Sequence, residues 1–186
     1  GASNTAVGKG ALSANTTGSN HTALGKDALL VSTAGGYDTA IGDAVLKANT
    51  TGNYNTGVGA SALAANTTAS NNTAVGYAAL LSNTTGNESV AVGAEALEAN
   101  TTGTDNTAVG YQAGYSTTTG GWNTFIGQNA GYGNTTGIYN NFIGVGAGQN
   151  STTAAQNTYI GWYAAYYQQV GGNNVAIGHQ TLYLSL

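Results

Sequence analysis

The chain has 186 residues and a formal net charge of −4; only 5% of its residues are charged, 30 are glycine, and proline, cysteine and methionine are absent. Its three lysines, Lys9, Lys26 and Lys47, leave no basic surface able to neutralise a phosphate backbone, so nucleic acid is not an expected partner. Without cysteine there is no disulfide or thiolate metal site, and the apolar runs are too short to span a membrane.

A repeat of 17 residues organises the whole chain. In each repeat a glycine closes a pentad similar to Asn-Thr-Ala-Val-Gly, and the interval between these glycines never changes. The predicted coil-turn glycines are Gly8, Gly25, Gly42, Gly59, Gly76, Gly93, Gly110, Gly127, Gly144, Gly161 and Gly178. The repeat is shorter than those of helical arrays and rich in poor helix formers. The sequence therefore predicts an all-β fold, a parallel β-solenoid (β-roll) of eleven 17-residue coils, as a single tandem-repeat domain over residues 1–186.

The first predicted element of each coil is a short strand that ends at the coil-turn glycine. A Val, Ile or Leu precedes the glycine and Thr usually stands two residues earlier, an alternation typical of a strand. We expect the Val, Ile and Leu column to form the structural core. Its members are Val7, Leu24, Ile41, Val58, Val75, Val92, Val109, Ile126, Ile143, Ile160 and Ile177.

A second strand and a corner are predicted to complete each coil. The second strand is expected at Ala-Leu pairs such as Ala28-Leu29, and the corner at Asn-Thr-Thr-Gly segments such as residues 15–18. Since stacked coils align equivalent residues, Asn and Thr should form ladders in which each amide or hydroxyl bonds its counterpart in the next coil.

Side-chain volumes are exchanged between two positions of the repeat. The residue two before the coil-turn glycine and the residue four after it are Ala and Leu in most early coils, but Phe125 goes with Gly131 and Phe142 with Gly148. Packed interiors tolerate exchanges that conserve volume, so the two columns should share one enclosed space. That space is either the core of the coil itself or a contact with a second protomer.

Aromatic residues concentrate in the second half of the chain. Tyr115, Tyr132, Tyr166 and Tyr183 occupy one column and predict a stripe on one face. Such a stripe serves either as an interface between protomers or as a binding surface for surface glycans.

No polar capping segment is visible at either end of the repeat array. Residues 182–186 are largely apolar, and joining residue 186 to Gly1 of another copy would place the next coil-turn glycine 16 residues after Gly178. This near-continuity predicts head-to-tail assembly into a filament, with a fragment of a longer repeat protein as the alternative.

The pentads also carry a resemblance to known fibres. Residues 89–93 and 174–178 resemble the Ser-Val-Ala-Ile-Gly core of trimeric autotransporter adhesin heads, and residues 106–113 are similar to repeats of phage tail-fibre proteins. The resemblance implies extracellular fibres, often trimeric, that attach to surfaces.

No catalytic residue, metal site or cofactor is predicted. His21 and His179 lie nine coils apart in different columns, so they cannot form a metal or catalytic pair, and both are expected to be surface residues. The acidic residues show no partner base or nucleophile and are expected to be solvated; they are Asp27, Asp38, Asp43, Glu88, Glu95, Glu98 and Asp105. Sequons for N-glycosylation occur at Asn15, Asn20, Asn49, Asn66, Asn71, Asn83, Asn87, Asn100, Asn134 and Asn150.

The expected function is structural rather than enzymatic. We expect an extracellular fibre subunit on a cell surface, in a matrix or on a virion, whose partner is itself, head to tail or laterally. Two alternatives remain at this stage: a phage or bacterial adhesion-fibre segment that binds a surface glycan, and an ice-binding protein whose outer rank includes Asn15 and Thr17.

Overall fold

The computed structural model describes residues 1–183, which form one parallel sheet of eleven strands in sequential order. Strands β1 to β11 are Thr5–Val7, Thr22–Leu24, Thr39–Ile41, Thr56–Val58, Thr73–Val75, Val90–Val92, Thr107–Val109, Thr124–Ile126, Asn141–Ile143, Thr158–Ile160 and Val175–Ile177. Each strand pairs with the equivalent residues of the next coil, as Thr5 with Thr22 and Val7 with Leu24. The described residues contain no helix, and the predicted parallel β-solenoid is confirmed. The last three residues of the predicted apolar end, 184–186, lie outside the described part.

The coil-turn glycines end the strands because no other residue fits there. All eleven have φ between 115° and 139°, a region that residues with a Cβ rarely adopt. In the first ten, an added Cβ would lie within 3.0 Å of the backbone of the next coil-turn glycine. The column is therefore fixed both by backbone conformation and by the close approach of successive coils.

The predicted second strand is absent from the described residues. Its Leu is left-handed, with φ of 49° at Leu29 and 52° at Leu80, and the segment is a run of turns. The turn is still tied to the next coil, since Leu29 N–H donates to Val45 O at 3.0 Å. The left-handed residue directs the Leu side chain into the coil, where it is fully buried.

The prediction that the Val, Ile and Leu column forms the core is wrong. These side chains face outward, and their exposure ranges from half-buried to 63% at Ile177. The residue before each, in the middle of the strand, is the buried one in β2 to β11. Since neighbouring strand residues point to opposite faces, only one of the two can line the interior. The outward residues are Val7, Leu24, Ile41, Val58, Val75, Val92, Val109, Ile126, Ile143, Ile160 and Ile177.

The actual core follows from the exchange of volumes. Phe125 and Phe142 are fully buried, and a Cβ on Gly131 would lie 2.4 Å from the Phe125 ring. The shared space is thus the interior of the coil itself. In one coil both positions are small, Ala108 and Gly114. A Cβ added to Gly114 would lie within 3.0 Å of the Phe125 ring and of the Leu97 side chain, which belong to the adjacent coils.

Candidate functional site

The outer face of the sheet is the most regular surface of the molecule. We define the outer strip as the first and third residues of strands β1 to β11; these side chains are exposed or half-buried, while the middle residue of β2 to β11 is buried. The third residues are the outward Val, Ile and Leu column. The first residues are Thr5, Thr22, Thr39, Thr56, Thr73, Val90, Thr107, Thr124, Asn141, Thr158 and Val175. The strip carries no charged residue.

Exposed aromatic side chains lie on both sides of the outer strip along the chain. We call them the aromatic rims. Two residues before a strand stand Tyr37, Tyr54, Trp122 and Tyr139, and two residues after a strand stand Tyr77, Tyr111 and Trp162. Each of these seven side chains is between 44% and 60% exposed. The strip is uncharged, while the rim positions of other coils carry charged residues; these are Lys9, Lys26, Asp43, Glu88 and Asp105.

Several rim aromatics stack on each other along the axis. The rings of Tyr37 and Tyr54 are nearly parallel at 5.0 Å, and those of Trp122 and Tyr139 are stacked at 5.3 Å. Each stacked pair therefore covers the inner faces of its own two rings and leaves edges and one outer face per ring.

The predicted tyrosine stripe is present as two stacked pairs. Tyr115 and Tyr132 are 5.0 Å apart, Tyr166 and Tyr183 are 5.5 Å apart, and Gln149 stands between the pairs in the column. All four tyrosines are half-buried. The charge of Glu98 beside Tyr115 is the main cause that raises the pKa of this hydroxyl. The column is thus real, and its role as interface or glycan stripe stays a prediction.

Polar ladders of buried Asn side chains run through the interior of the rod. Asn66 Nδ2 donates to Asn49 Oδ1 at 3.1 Å, and Asn83 and Asn100 continue the series. The predicted asparagine ladders are therefore confirmed. The threonine ladder differs in its acceptor, because each hydroxyl donates to a backbone carbonyl of the next coil, as Thr67 does to Thr84 O at 3.0 Å.

The prediction that His21 and Asp38 are surface residues is wrong. His21 is 1% exposed and Asp38 fully buried, and His21 Nδ1 lies 3.4 Å from Asp38 Oδ2. They occupy the interior column that holds Asn55 and Asn72 in later coils. The column itself was the signal that sequence reasoning missed, since most of its members are Asn and Asn there is inward. His179 is exposed, as predicted, and stacks on Trp162 at 4.7 Å.

The other acidic residues are exposed or half-buried. Glu95 accepts a hydrogen bond from Gln112 Nε2 at 2.7 Å. Burial, and then the charge of Glu95, raise the pKa of Glu98. Within residues 1–183 no three His, Cys, Asp or Glu side chains form a group that could hold a metal ion.

The ten sequons fall into three structural classes. Five have their Asn buried in the rod, where the side chain cannot carry a sugar: Asn49, Asn66, Asn83, Asn100 and Asn134. Asn15 and Asn150 are half-buried and donate through Nδ2 to Gly18 O and Tyr166 O. Asn20, Asn71 and Asn87 are exposed. Glycosylation of the folded rod is thus restricted to the exposed class.

Comparisons with protein-family models, curated proteins and solved structures gave no match to this chain. No helix in the described part of the chain is long and apolar enough to cross a membrane. The β-solenoid and its surfaces are therefore the basis for the functional proposal.

Proposed function

We propose that this chain is a structural rod of an extracellular fibre and that copies associate side by side through the outer strip. The observation that carries the proposal is the exposure of a regular, uncharged row of Val, Ile and Leu side chains along all eleven strands. All-parallel sheets usually have both faces covered. Here the coil interior covers only the inner face.

The dimensions of the surface fit an interface. At about 4.8 Å per strand, eleven strands give a strip ~50 Å long and ~10 Å wide, on the order of 500 Å². The aromatic rims add on the order of several hundred Å². A standard stable interface takes about 800 Å² from each partner.

A second copy is the partner that fits this surface best. The strip repeats the same chemistry at every coil, so a parallel copy in register brings aliphatic side chains against aliphatic side chains along its whole length. No charge in the strip opposes this contact. Because each rod has one such strip, association closes around an axis parallel to the rods. The resemblance to trimeric adhesin heads favours three copies.

Charged substitutions in the strip test the proposal. The double variant Val92→Glu/Val109→Glu places two carboxylates in adjacent coils of the strip, and Thr102→Glu/Thr119→Glu places them at exposed corner positions of the same coils. Sedimentation equilibrium should show associated wild-type and corner-variant rods and a monomeric strip variant with unchanged circular dichroism. Association of the strip variant as tight as that of the wild type contradicts the proposal.

Ice binding is the second candidate, and the straight threonine column of the outer strip favours it. Eight of the eleven first strand residues are Thr, in parallel register on one sheet. This rank differs from the predicted one at Asn15 and Thr17. A monomeric wild type with thermal hysteresis that disappears in Val92→Glu/Val109→Glu supports ice binding, and a wild type without hysteresis removes it.

Glycan binding and head-to-tail joining remain predictions. The stacked rims favour glycan binding less than self-association, because sugar rings pack on free aromatic faces and the stacks cover many of these faces.

A further inference from the structure

The interior column that precedes the strands contains one titratable pair. Asparagine fills this column in most coils, and in the second and third coils His21 and Asp38 take its place. Both side chains have no solvent exposure, and His21 Nδ1 is 3.4 Å from Asp38 Oδ2. Neither ring nitrogen of His21 has a hydrogen-bond partner. The two groups are thus adjacent to each other in the interior of the rod and inaccessible to solvent.

The rest of the environment is neutral. Asp38 Oδ1 accepts hydrogen bonds from Asn55 N at 2.8 Å and Asn55 Nδ2 at 3.2 Å, and Oδ2 accepts from Asn49 Nδ2 at 3.1 Å. In the same coil as His21, Ser32 stands where most coils have the larger corner Asn. The other charged groups of the first three coils are at exposed or half-buried positions; they are the amino terminus at Gly1, which donates to Thr16 O at 3.0 Å, and Lys9, Lys26, Asp27, Asp43 and Lys47.

We propose that His21 and Asp38 share one proton inside the rod, and that this sharing keeps the stability of the amino-terminal coils constant at mildly acid pH. Either group alone would make those coils sensitive to pH. As a pair within the asparagine column, the two groups therefore cancel each other's effect on the pH dependence of stability.

Burial shifts the pKa values of the two groups in opposite directions, so their effects on the pH dependence of stability oppose each other. Burial raises the pKa of Asp38 from 3.8 to about 7, so its contribution to stability is full below 3.8 and is lost as pH rises to about 7. Burial lowers the pKa of His21 from 6.5, so its contribution is full above 6.5 and is lost as pH falls through the lowered value. At pH values above 3.8 and above the lowered pKa of His21, and up to about 6.5, the unfolded chain carries one proton on His21 and the folded chain one proton on the pair, so no net proton is exchanged.

Single substitutions should uncover the two opposing slopes. In His21→Asn, the equilibrium constant for opening of the first coils should rise with pH between about 4 and 7, by up to about tenfold per pH unit. In Asp38→Asn, the opening constant should rise as pH falls below about 6.5, again by up to about tenfold per unit. The double variant His21→Asn/Asp38→Asn restores the common residue of the column and should show no slope, like the wild type.

Hydrogen exchange of backbone amides in β2 and β3, corrected for the intrinsic exchange rate, measures these opening constants. The amides of β6 and β7 are internal controls and should be unaffected. Single variants without a slope, or with slopes of the same sign, overturn the proposal, as does a wild type with a slope of one proton in this range.

A spectroscopic measurement on the wild type covers the case in which a single variant fails to fold. The His21 ring nitrogen shifts and the Asp38 carboxyl carbon shift report how many protons the pair holds at pH 5.5. Counted relative to a neutral imidazole and an ionised carboxylate, one added proton on the pair, on either residue, supports the proposal. Two protons or none overturn it.

Discussion

At the scale of the residue, left-handed backbone recurs at positions where glycine is not used. Within residues 1–183, twenty-eight non-glycine residues have positive φ, including Leu29, Tyr54 and Glu88. Each such residue costs on the order of 1 kcal/mol. The conformation persists because it directs the N–H to the neighbouring coil, as Tyr54 N–H donates to Gly36 O at 3.1 Å. These positions offer a direct route to higher stability.

Replacement of Glu88 by Asn should stabilise the rod by about 0.5–1 kcal/mol, because Asn tolerates the left-handed region better than Glu. Glu88 is exposed and has a φ of 58°. The measurement is the free energy of unfolding in urea. Asp43→Asn, which also removes a carboxylate but at an exposed position without positive φ, is the control and should change stability little.

At the scale of the element, the sequence predicted the packing of the coil better than its strands. The exchange between Phe125 and Gly131 correctly identified the two columns that share the interior. The same observation already excluded Ile126 as core, since it is the strand neighbour of Phe125 and must point the other way. Side-chain size alone favoured the Val, Ile and Leu column as the core, whereas the alternation of side chains along the strand decides which residue faces inward. The prediction of a second strand was wrong because the Leu of this segment is left-handed, and an Ala-Leu pair in the sequence does not indicate that conformation.

A double-mutant cycle tests the shared interior. Phe125→Ala alone should destabilise the rod by about 3–5 kcal/mol through the cavity it leaves. Gly131→Leu alone should destabilise it by about 1–3 kcal/mol, because its Cβ would lie 2.4 Å from the Phe125 ring. The double variant recreates the Ala and Leu pair of the early coils and should recover much of the loss in urea denaturation. Additive losses in the double variant would contradict a common space.

At the scale of the whole molecule, the ladders lie inside the rod and the outer strip lies on its surface. Inside the rod, the ladders join coils through amide hydrogen bonds between fully buried side chains, as from Asn100 to Asn83 and from Asn83 to Asn66. The outer strip faces away from the coil interior, and its side chains are exposed or half-buried. The periodicity alone predicted the rod, the sheet and the ladders. It did not predict the buried pair at His21 and Asp38, because histidine and aspartate usually lie at the surface.

Interruption of a ladder should weaken the rod over several coils. Asn83 donates to Asn66 Oδ1 and Gly86 O and accepts from Asn100 Nδ2 at 3.0 Å. Asn83→Ala leaves buried polar atoms without partners, so we expect a loss of about 2–4 kcal/mol in urea denaturation. Asn87→Ala removes only an exposed hydrogen bond, which Asn87 Oδ1 accepts from Ser70 N, and should cost much less; equal losses in the two variants would contradict the structural role of the ladder.

The particle mass and length of the purified wild-type chain in solution test side-by-side association most directly. Light scattering should give a small integer multiple of 18.4 kDa, while small-angle X-ray scattering should give a maximum dimension still close to that of one rod, ~50–60 Å. An 18.4 kDa particle at micromolar concentration, or a mass that grows only together with the length, would contradict association through the outer strip.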